Sequence, residues 1–521
     1  MKSHMMPVGC ACCPVSRRQF LAAGGAACAC ALGLAHAAPK AFAAAGSEKM
    51  RLRVVYALHA ATQPGPDWPN VGFEFTPVME RITGALSQAF PNAEIMPCMA
   101  TGEEEAEKIL AADAADMPDG YIVYQMNCWN RVAQPIVKSG KPVLYADFQY
   151  GGSGGFLVYT AAFLRQRTPN LGFVASSNIE DLLAAAKCFE TVKRGGSANE
   201  FAAMTARVRM ERAKAPGPLD CAPDAVAAVS GQECVEKMKA SRILAFLDQE
   251  TKPEVPYGVV PLVYLPFAEL NEAWEKADKD ASRAVAERWA KTAALVEGVS
   301  METLETSAAM YLGMKEILKR HDANAITVNC LGGFYGGHIH AYPCLGFHEL
   351  CNEGLIGACE CDVRSTATMV AFSAMTGGRT GFISDPVMDT AKNAIIYAHC
   401  VAPNRAFGPS GPANPFEILT HSEDRQGASV RSILPTGHMT STIELNPDRK
   451  EILFHQGVAV ANDPDDRACR TKLVVEPKGD IEKLFTMWDH YGWHRVTAYG
   501  DLKEPVKSLA DALGYTVYEE A

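Results

Sequence analysis

Leu52-Arg53-Val54-Val55-Tyr56-Ala57, helical periodicity from Pro77 to Phe90, and then Gly120-Tyr121-Ile122-Val123-Tyr124 and Pro142-Val143-Leu144-Tyr145-Ala146 decide the fold class. Each apolar run is short, rich in β-branched or aromatic residues, and bounded by turn formers, as a buried strand requires. Strand alternating with helix implies a parallel, doubly wound sheet. The pattern recurs further on, in Arg242-Ile243-Leu244-Ala245-Phe246-Leu247 and Gly258-Val259-Val260-Pro261-Leu262-Val263. A long, charged, Ala-rich helical region follows from Phe267 to about Lys319, then a buried strand at Ala325-Ile326-Thr327-Val328-Asn329. After about Pro403 the texture changes. Pro, Gly and Ser thicken, and short β runs take over at Ser441 to Leu445, Ile452 to Phe454 and Leu473 to Val475. These imply an antiparallel, barrel-like part. Arg495 to Tyr499 is a last strand, with Asp501 as expected N-cap, Glu504 three residues on, and Gly514 as helix stop. The expected fold is therefore α/β: two doubly wound parallel-sheet domains, then a C-terminal domain containing an antiparallel β-barrel-like part. The expected boundaries are 46–165, 166–375 and 376–521. Gly151 to Gly155 lacks the spacing of a dinucleotide loop and reads as a connector or binding loop.

The N-terminus has a different character. Ser16-Arg17-Arg18-Gln19-Phe20-Leu21 precedes a mild apolar run and then Ala41-Phe42-Ala43. A charged pair, a short apolar stretch and a small-x-small end describe a twin-arginine signal peptide over residues 1–45. The expected partner is the Tat export machinery, and the expected location is periplasmic or extracellular. Export in the folded state suits a protein whose metal is loaded before translocation. Five of the 17 cysteines (Cys10, Cys12, Cys13, Cys28, Cys30) lie in this presequence. The rest sit in apolar stretches, as small buried residues do. No later segment is apolar and long enough for a stable membrane span. The formal net charge of -11 and the absence of a basic run argue against nucleic acid as a partner.

The densest chemistry runs from Asn329 to Cys400. Ala358-Cys359-Glu360-Cys361-Asp362-Val363 sets one carboxylate between two cysteines, and an extended backbone there would turn Glu360 away from both. Thr366 to Met375 reads as a helix halted at Gly377-Gly378. Thr380 to Ser384 reads as a strand delivering Asp385 at its carboxyl end, where open α/β sheets bind ligands. Asn393 to Ala398 leads to His399. Two carboxylates and an imidazole make an oxygen-rich site for Mn²⁺ or Mg²⁺ with open positions. Taken singly, a Glu and an Asp at strand ends are more often caps or solvent-facing residues, and a lone His is more often a core residue.

Ala-Cys-Glu-x-Asp, then Ala367-Thr368-Met369, then Thr376-Gly377, then a strand ending in Asp385, resembles the metal-binding stretch of the L-fucose/L-arabinose isomerase superfamily. Cys344, His399-Cys400, Pro435-Thr436-Gly437 and Cys469-Arg470-Thr471 extend the resemblance over most of the chain. It implies Glu360 and Asp385 as metal ligands and acid/base pair, and His494 as third ligand, in a strand followed by a helix. By the arabinose-isomerase branch it also offers His399 as a further ligand. It implies a sugar substrate, Mn²⁺ or another divalent cation, aldose–ketose isomerisation through a cis-enediol, and a homo-oligomer, trimer or hexamer. Val363-Arg364-Ser365 stands where the family often has Gly after its E-x-D element. An export signal also departs from the cytoplasmic members.

Two other readings remain open on the residues alone. One is an exported sugar-binding protein on the isomerase scaffold, and the other is a metal-dependent epimerase or lyase. His338-Ile339-His340 offers two imidazoles either to a metal or to a loop over the site. Trp129 serves as a sugar-stacking or a core residue. His490 is expected on a helix or turn before His494, and Glu353 in a solvated loop.

Overall fold

The computed structural model describes residues 49–521, and Lys49–Ala521 is one compact unit. The signal-peptide reading of residues 1–45, with Arg17-Arg18 and its five cysteines, lies outside the described residues. The first sheet contains β1 (Met50–Ala57), β2 (Ala93–Ala100), β3 (Gly120–Gln125), β4 (Val143–Asp147) and β5 (Leu171–Val174), all parallel, in the order β2-β1-β3-β4-β5. β3 and β4 are buried along their whole length, which explains their unbroken apolar runs: helices cover both faces of such a sheet. The helix Thr76–Ala89 buries Val78, Ile82 and Leu86, one stripe at helical spacing, where Pro77 to Phe90 was expected to coil. The strand order reverses between β1 and β3, so a crevice opens outside their carboxyl ends.

The second sheet contains β6 (Ile243–Leu247), β7 (Val255–Tyr257) and β8 (Val260–Pro266). β9 (Leu295–Val296) belongs elsewhere, and β10 (Ala325–Val328) and β11 (Ile356–Ala358) complete the sheet in the order β11-β10-β6-β8-β7. Only the edge strand β7 runs antiparallel to its neighbour. The helical region after Phe267 is three helices, Phe267–Glu275, Lys279–Thr292 and Met301–Arg320, the last two started by side-chain caps from Asp278 and Ser300.

The C-terminal region is a closed barrel. After β12 (Phe382–Asp389) and β13 (Ala394–His399) comes a hairpin of β14 (Phe416–Leu419) and β15 (Ser429–Ser432), to which β9 adds. β16 (Met439–Asn446), β17 (Glu451–Asn462), β18 (Thr471–Pro477) and β19 (Arg495–Tyr499) follow. The ring β16-β19-β12-β13-β18-β17 shuts where β17 pairs with β16, and every pairing in it is antiparallel. Closure leaves no unpaired edge in the ring. β20 (Thr516–Glu519) adds alongside β17, and Glu520 just beyond it is fully buried against Arg495 at 2.8 Å and His455 at 3.0 Å. Gly514 ends the preceding helix with φ 68°, as expected, but Leu502 occupies the N-cap and Asp501 accepts from Gln456 at 2.8 Å.

Gly151 to Gly155 is not a loose connector. Gly151-Gly152 is a turn, and Ser153-Gly154-Gly155 begins the buried helix Ser153–Arg165. The glycines are needed for close approach: a methyl on Gly152 would enter the Gln125 carbonyl, and one on Gly154 the Trp493 indole.

Candidate metal centre

All three parts of the fold end at one cavity. From β11 the chain passes through Cys359-Glu360-Cys361 into the helix Val363–Thr376, whose N-cap is Asp362, accepting from Ser365 N–H at 3.1 Å. The expected extended backbone is absent. Glu360 has φ 63° and Cys361 φ 53°, left-handed at two non-glycine residues, which costs about 1–2 kcal/mol per residue. Cys361 N–H donates to Val328 O at 3.0 Å and holds this turn against the end of β10. Such strain persists where the surroundings over-determine it, and it aims Glu360 into the cavity.

Asp385 lies within β12 rather than at its carboxyl end, because this strand is buried along its whole length and runs on through Pro386 to Asp389. Its register explains the convergence. Asp385 pairs with Ala398 of β13 and Ser384 with Arg495 of β19, so His399 and His494 arrive on either side of it. His494 immediately precedes β19 instead of lying within a strand.

Glu360, Asp385, His399 and His494 each offer a ligand atom within 4.8 Å of the others. His494 Nε2 stands 3.0 Å from Asp385 Oδ1 and 3.3 Å from Glu360 Oε2. His399 Nε2 stands 3.7 Å from an oxygen of each carboxylate. Asp385 Oδ1, His399 Nε2 and His494 Nε2 are buried with no hydrogen-bond partner. Buried polar atoms are normally satisfied, so unpaired atoms converging on one point fit a cation. The rings differ, however. His494 Nδ1 faces Asp362 Oδ2 at 2.8 Å, which puts its proton there and turns the Nε2 lone pair toward the centre. His399 Nδ1 accepts Cys400 N–H at 3.0 Å, so the neutral ring carries its proton on Nε2. His494 is thus set as a ligand and His399 as a donor.

The charges respond to this crowding. Burial raises Asp385 above its ordinary value. Burial pushes Glu360 the same way, but the neighbouring His494 and His399 bring it below its ordinary value. Burial lowers His494, yet Glu360, Asp362 and Asp385 outweigh it and hold the imidazole well above its usual value. Without a cation the three acceptors hold a proton. A divalent ion would take that proton's place.

The cavity beside them has a volume of about 470 Å³. Trp493 meets Trp68 and Trp129 edge to face, with ring centroids 5.2 and 5.9 Å apart, and all three indoles line it. Trp129 is 49% exposed, so it is a cavity-wall residue rather than a core one. Asp67, Tyr335 and Glu423 complete the wall, and burial pushes the Glu423 carboxyl up to about 8. The sequence reading did not single out these three. Asp67 and Tyr335 follow β1 and β10 as isolated residues, and only the polar run His421-Ser422-Glu423-Asp424 between two strands could have flagged Glu423. His338 and His340 stay outside the cluster: His338 stacks on Phe267, and its Nε2 is 3.5 Å from Asp248. His490 lies on the helix Trp488–Tyr491, also outside. Glu353 is no free loop residue, since it caps the helix Cys344–Asn352 and pairs with Lys315 at 2.9 Å.

No protein-family model matches the chain. It is similar to the sulfoquinovose isomerase of Clostridium sp. (strain MSTE9), 26% identical over 227 residues, which cover 42% of this chain and 49% of that protein. The sulfoquinovose isomerase of Priestia aryabhattai is 23% identical over 216 residues, 41% of this chain and 47% of its own. The chain thus spans about half the length of these curated relatives. A solved carbohydrate transporter from Acidothermus cellulolyticus 11B, in complex with myo-inositol, is 11% identical over 56% of this chain and 80% of its own. Its TM-score is 0.17.

Proposed function

We propose that this chain is a metal-dependent sugar isomerase that interconverts an aldose and a ketose through a cis-enediol. The convergence of Glu360, Asp385 and His494 on one point, with Asp385 Oδ1 and His494 Nε2 buried and without a hydrogen-bond partner, carries the reading. The similarity to sulfoquinovose isomerases supports it. Glu360, Asp385 and His494 would hold Mn²⁺ or Mg²⁺, which supplies a Lewis acid for the sugar carbonyl and the adjacent hydroxyl.

The residues divide the remaining work. Glu360, held in its ionised form, takes the proton from the carbon beside the carbonyl. Asp385 carries a proton from the hydroxyl oxygen to the carbonyl oxygen, and Glu360 returns its proton to the former carbonyl carbon, so aldose and ketose interconvert with no net gain or loss of protons. His399 donates Nε2–H to a sugar oxygen, and Asp362 keeps His494 in its tautomer. The indoles of Trp68, Trp129 and Trp493 orient the sugar and keep water from the enediol. In the same reading the protein acts outside the cytoplasm, leaves through the twin-arginine machinery, and assembles as a trimer or hexamer.

Turnover of an aldose panel in D₂O, followed by NMR, tests the proposal on metal-loaded protein. Wild type is expected to give the ketose with deuterium incorporated, and Glu360→Gln to lose at least ~10²-fold in rate with its fold intact. Wild-type-like turnover in Glu360→Gln would sink the assignment. An epimer or a cleavage product would give the site to epimerase or lyase chemistry instead.

A further inference from the structure

The cavity contains two carboxylates beyond those of the metal centre. Asp67 is fixed by His59 Nε2 at 2.9 Å and by Trp68 N–H at 2.7 Å. Glu423 is 8% exposed, and its Oε2 accepts the Tyr335 hydroxyl at 2.8 Å. Val71 N–H donates to Glu423 O at 2.7 Å, which pins the β14–β15 turn to the loop after β1 and holds this carboxylate in place.

Among the described residues that line the cavity there is no lysine or arginine. Arginines close in sequence to these residues are engaged elsewhere: Arg131 with Glu103, Arg425 with Asp466 at 2.8 Å, and Arg495 with Glu520 at 2.8 Å. The rest of the wall is largely aromatic.

A sulfonate or phosphate entering this space gives up its water, meets the Asp67 carboxylate, and finds no cationic side chain to replace what it lost. A hydroxyl or ammonium group meets the opposite situation, because carboxylate oxygens accept its hydrogens. The C–H face of a sugar packs on the indoles.

We infer that this cavity selects sugars whose part facing Glu423 and Asp67 carries hydrogen-bond donors and no oxyanion, with these two as the specificity-determining residues. The selection runs against the sulfonated sugar named in the isomerases that this chain resembles. The inference rests on the isomerase reading for the orientation of the sugar, and on the cavity wall for the choice of substituent.

The test uses the metal-loaded chain and matched hexoses of gluco, galacto and manno configuration. Each hexose is presented with hydroxyl, amino or sulfonate at carbon 6. Binding is read from tryptophan fluorescence and melting temperature, and turnover separately by NMR. The hydroxyl and amino sugars of at least one configuration are expected to bind about tenfold or more tighter than their sulfonated counterpart. Asp67→Asn, which keeps the side-chain shape, is expected to narrow that gap, and Glu423→Arg to bring the sulfonated sugar in. Equal or tighter binding of the sulfonated sugar in the wild type overturns the inference, and its turnover in that case leaves the isomerase reading standing. Selective binding of hydroxyl or amino sugars without turnover upholds the inference and removes the isomerase reading. No binding by any sugar overturns both.

Discussion

His494 and His399 face the same two carboxylates, yet their other ring nitrogens meet opposite partners, a carboxylate for one and a backbone N–H for the other. The residue types were legible: Glu360, Asp385, His399 and His494 could all be picked from the sequence. The proton positions were not, because the partner of His494 lies 132 residues away and that of His399 is an amide no side-chain pattern reveals. The distinction predicts that His494→Ala abolishes the Mn²⁺-dependent rise in melting temperature, while His399→Ala retains most of it. Asp362→Asn is expected to weaken Mn²⁺ binding by about 10–100-fold, as loss of a ligand-orienting carboxylate does, measured by calorimetry. Because His494 is held protonated in the absence of a cation, Mn²⁺ uptake near neutral pH is expected to release about one proton. Calorimetry in buffers of different ionisation enthalpy counts it.

At the scale of elements, the periodic segments were read well and the close approaches were not. β1, β3, β4, β6, β8 and β10 declare themselves as apolar runs, and the helix after Asp362 by its small and apolar residues, whereas β2, β5, β7 and β11 carry no such signal. The left-handed turn at Glu360 and the burial of Gly151 to Gly155 arise from contacts with β10, Gln125 and Trp493, which no local pattern encodes. The sequence ends β12 at Ser384, whereas a barrel strand buried along its length runs on through Asp385 and Pro386 to Asp389. The end of the barrel also makes a stability prediction. Glu520 is held at about 2, below its ordinary 4.5: burial opposes this, and Arg495 and His455 overcome it. A carboxyl with a depressed folded value stabilises the protein above its unfolded value. That contribution is lost as pH falls from about 4.5 through 2. At about 1.36 kcal/mol per unit it amounts to roughly 3 kcal/mol. Urea unfolding of wild type and Glu520→Gln is expected to show a large gap at pH 7 that shrinks toward pH 2. Arg495 also donates to His494 O at 2.8 Å, so the variant is expected to bind Mn²⁺ more weakly as well.

For the whole molecule, Glu360 from the end of the second sheet, Asp385 from β12 and His494 from just before β19 would make a bound ion a tie between parts of the chain. Mn²⁺ at a hundred times its dissociation constant is expected to add about 2.7 kcal/mol to stability, reversed by chelator and absent in His494→Ala. The expected α/β order with a terminal barrel holds, and the cavity draws also on the first sheet, at its β1/β3 crevice. The seam between β12 and β19 has a further, kinetic consequence. Asp385 and His494 are neighbours only when Ser384 opposes Arg495, and a slip of one residue would point Asp385 to the other side of the barrel wall. The ring must therefore close in its native register before any ion is held with full affinity, and a mispaired seam would be blind to Mn²⁺. In refolding experiments, the rate at which Mn²⁺ protection appears then times seam closure itself, later than the secondary structure that far-UV circular dichroism follows.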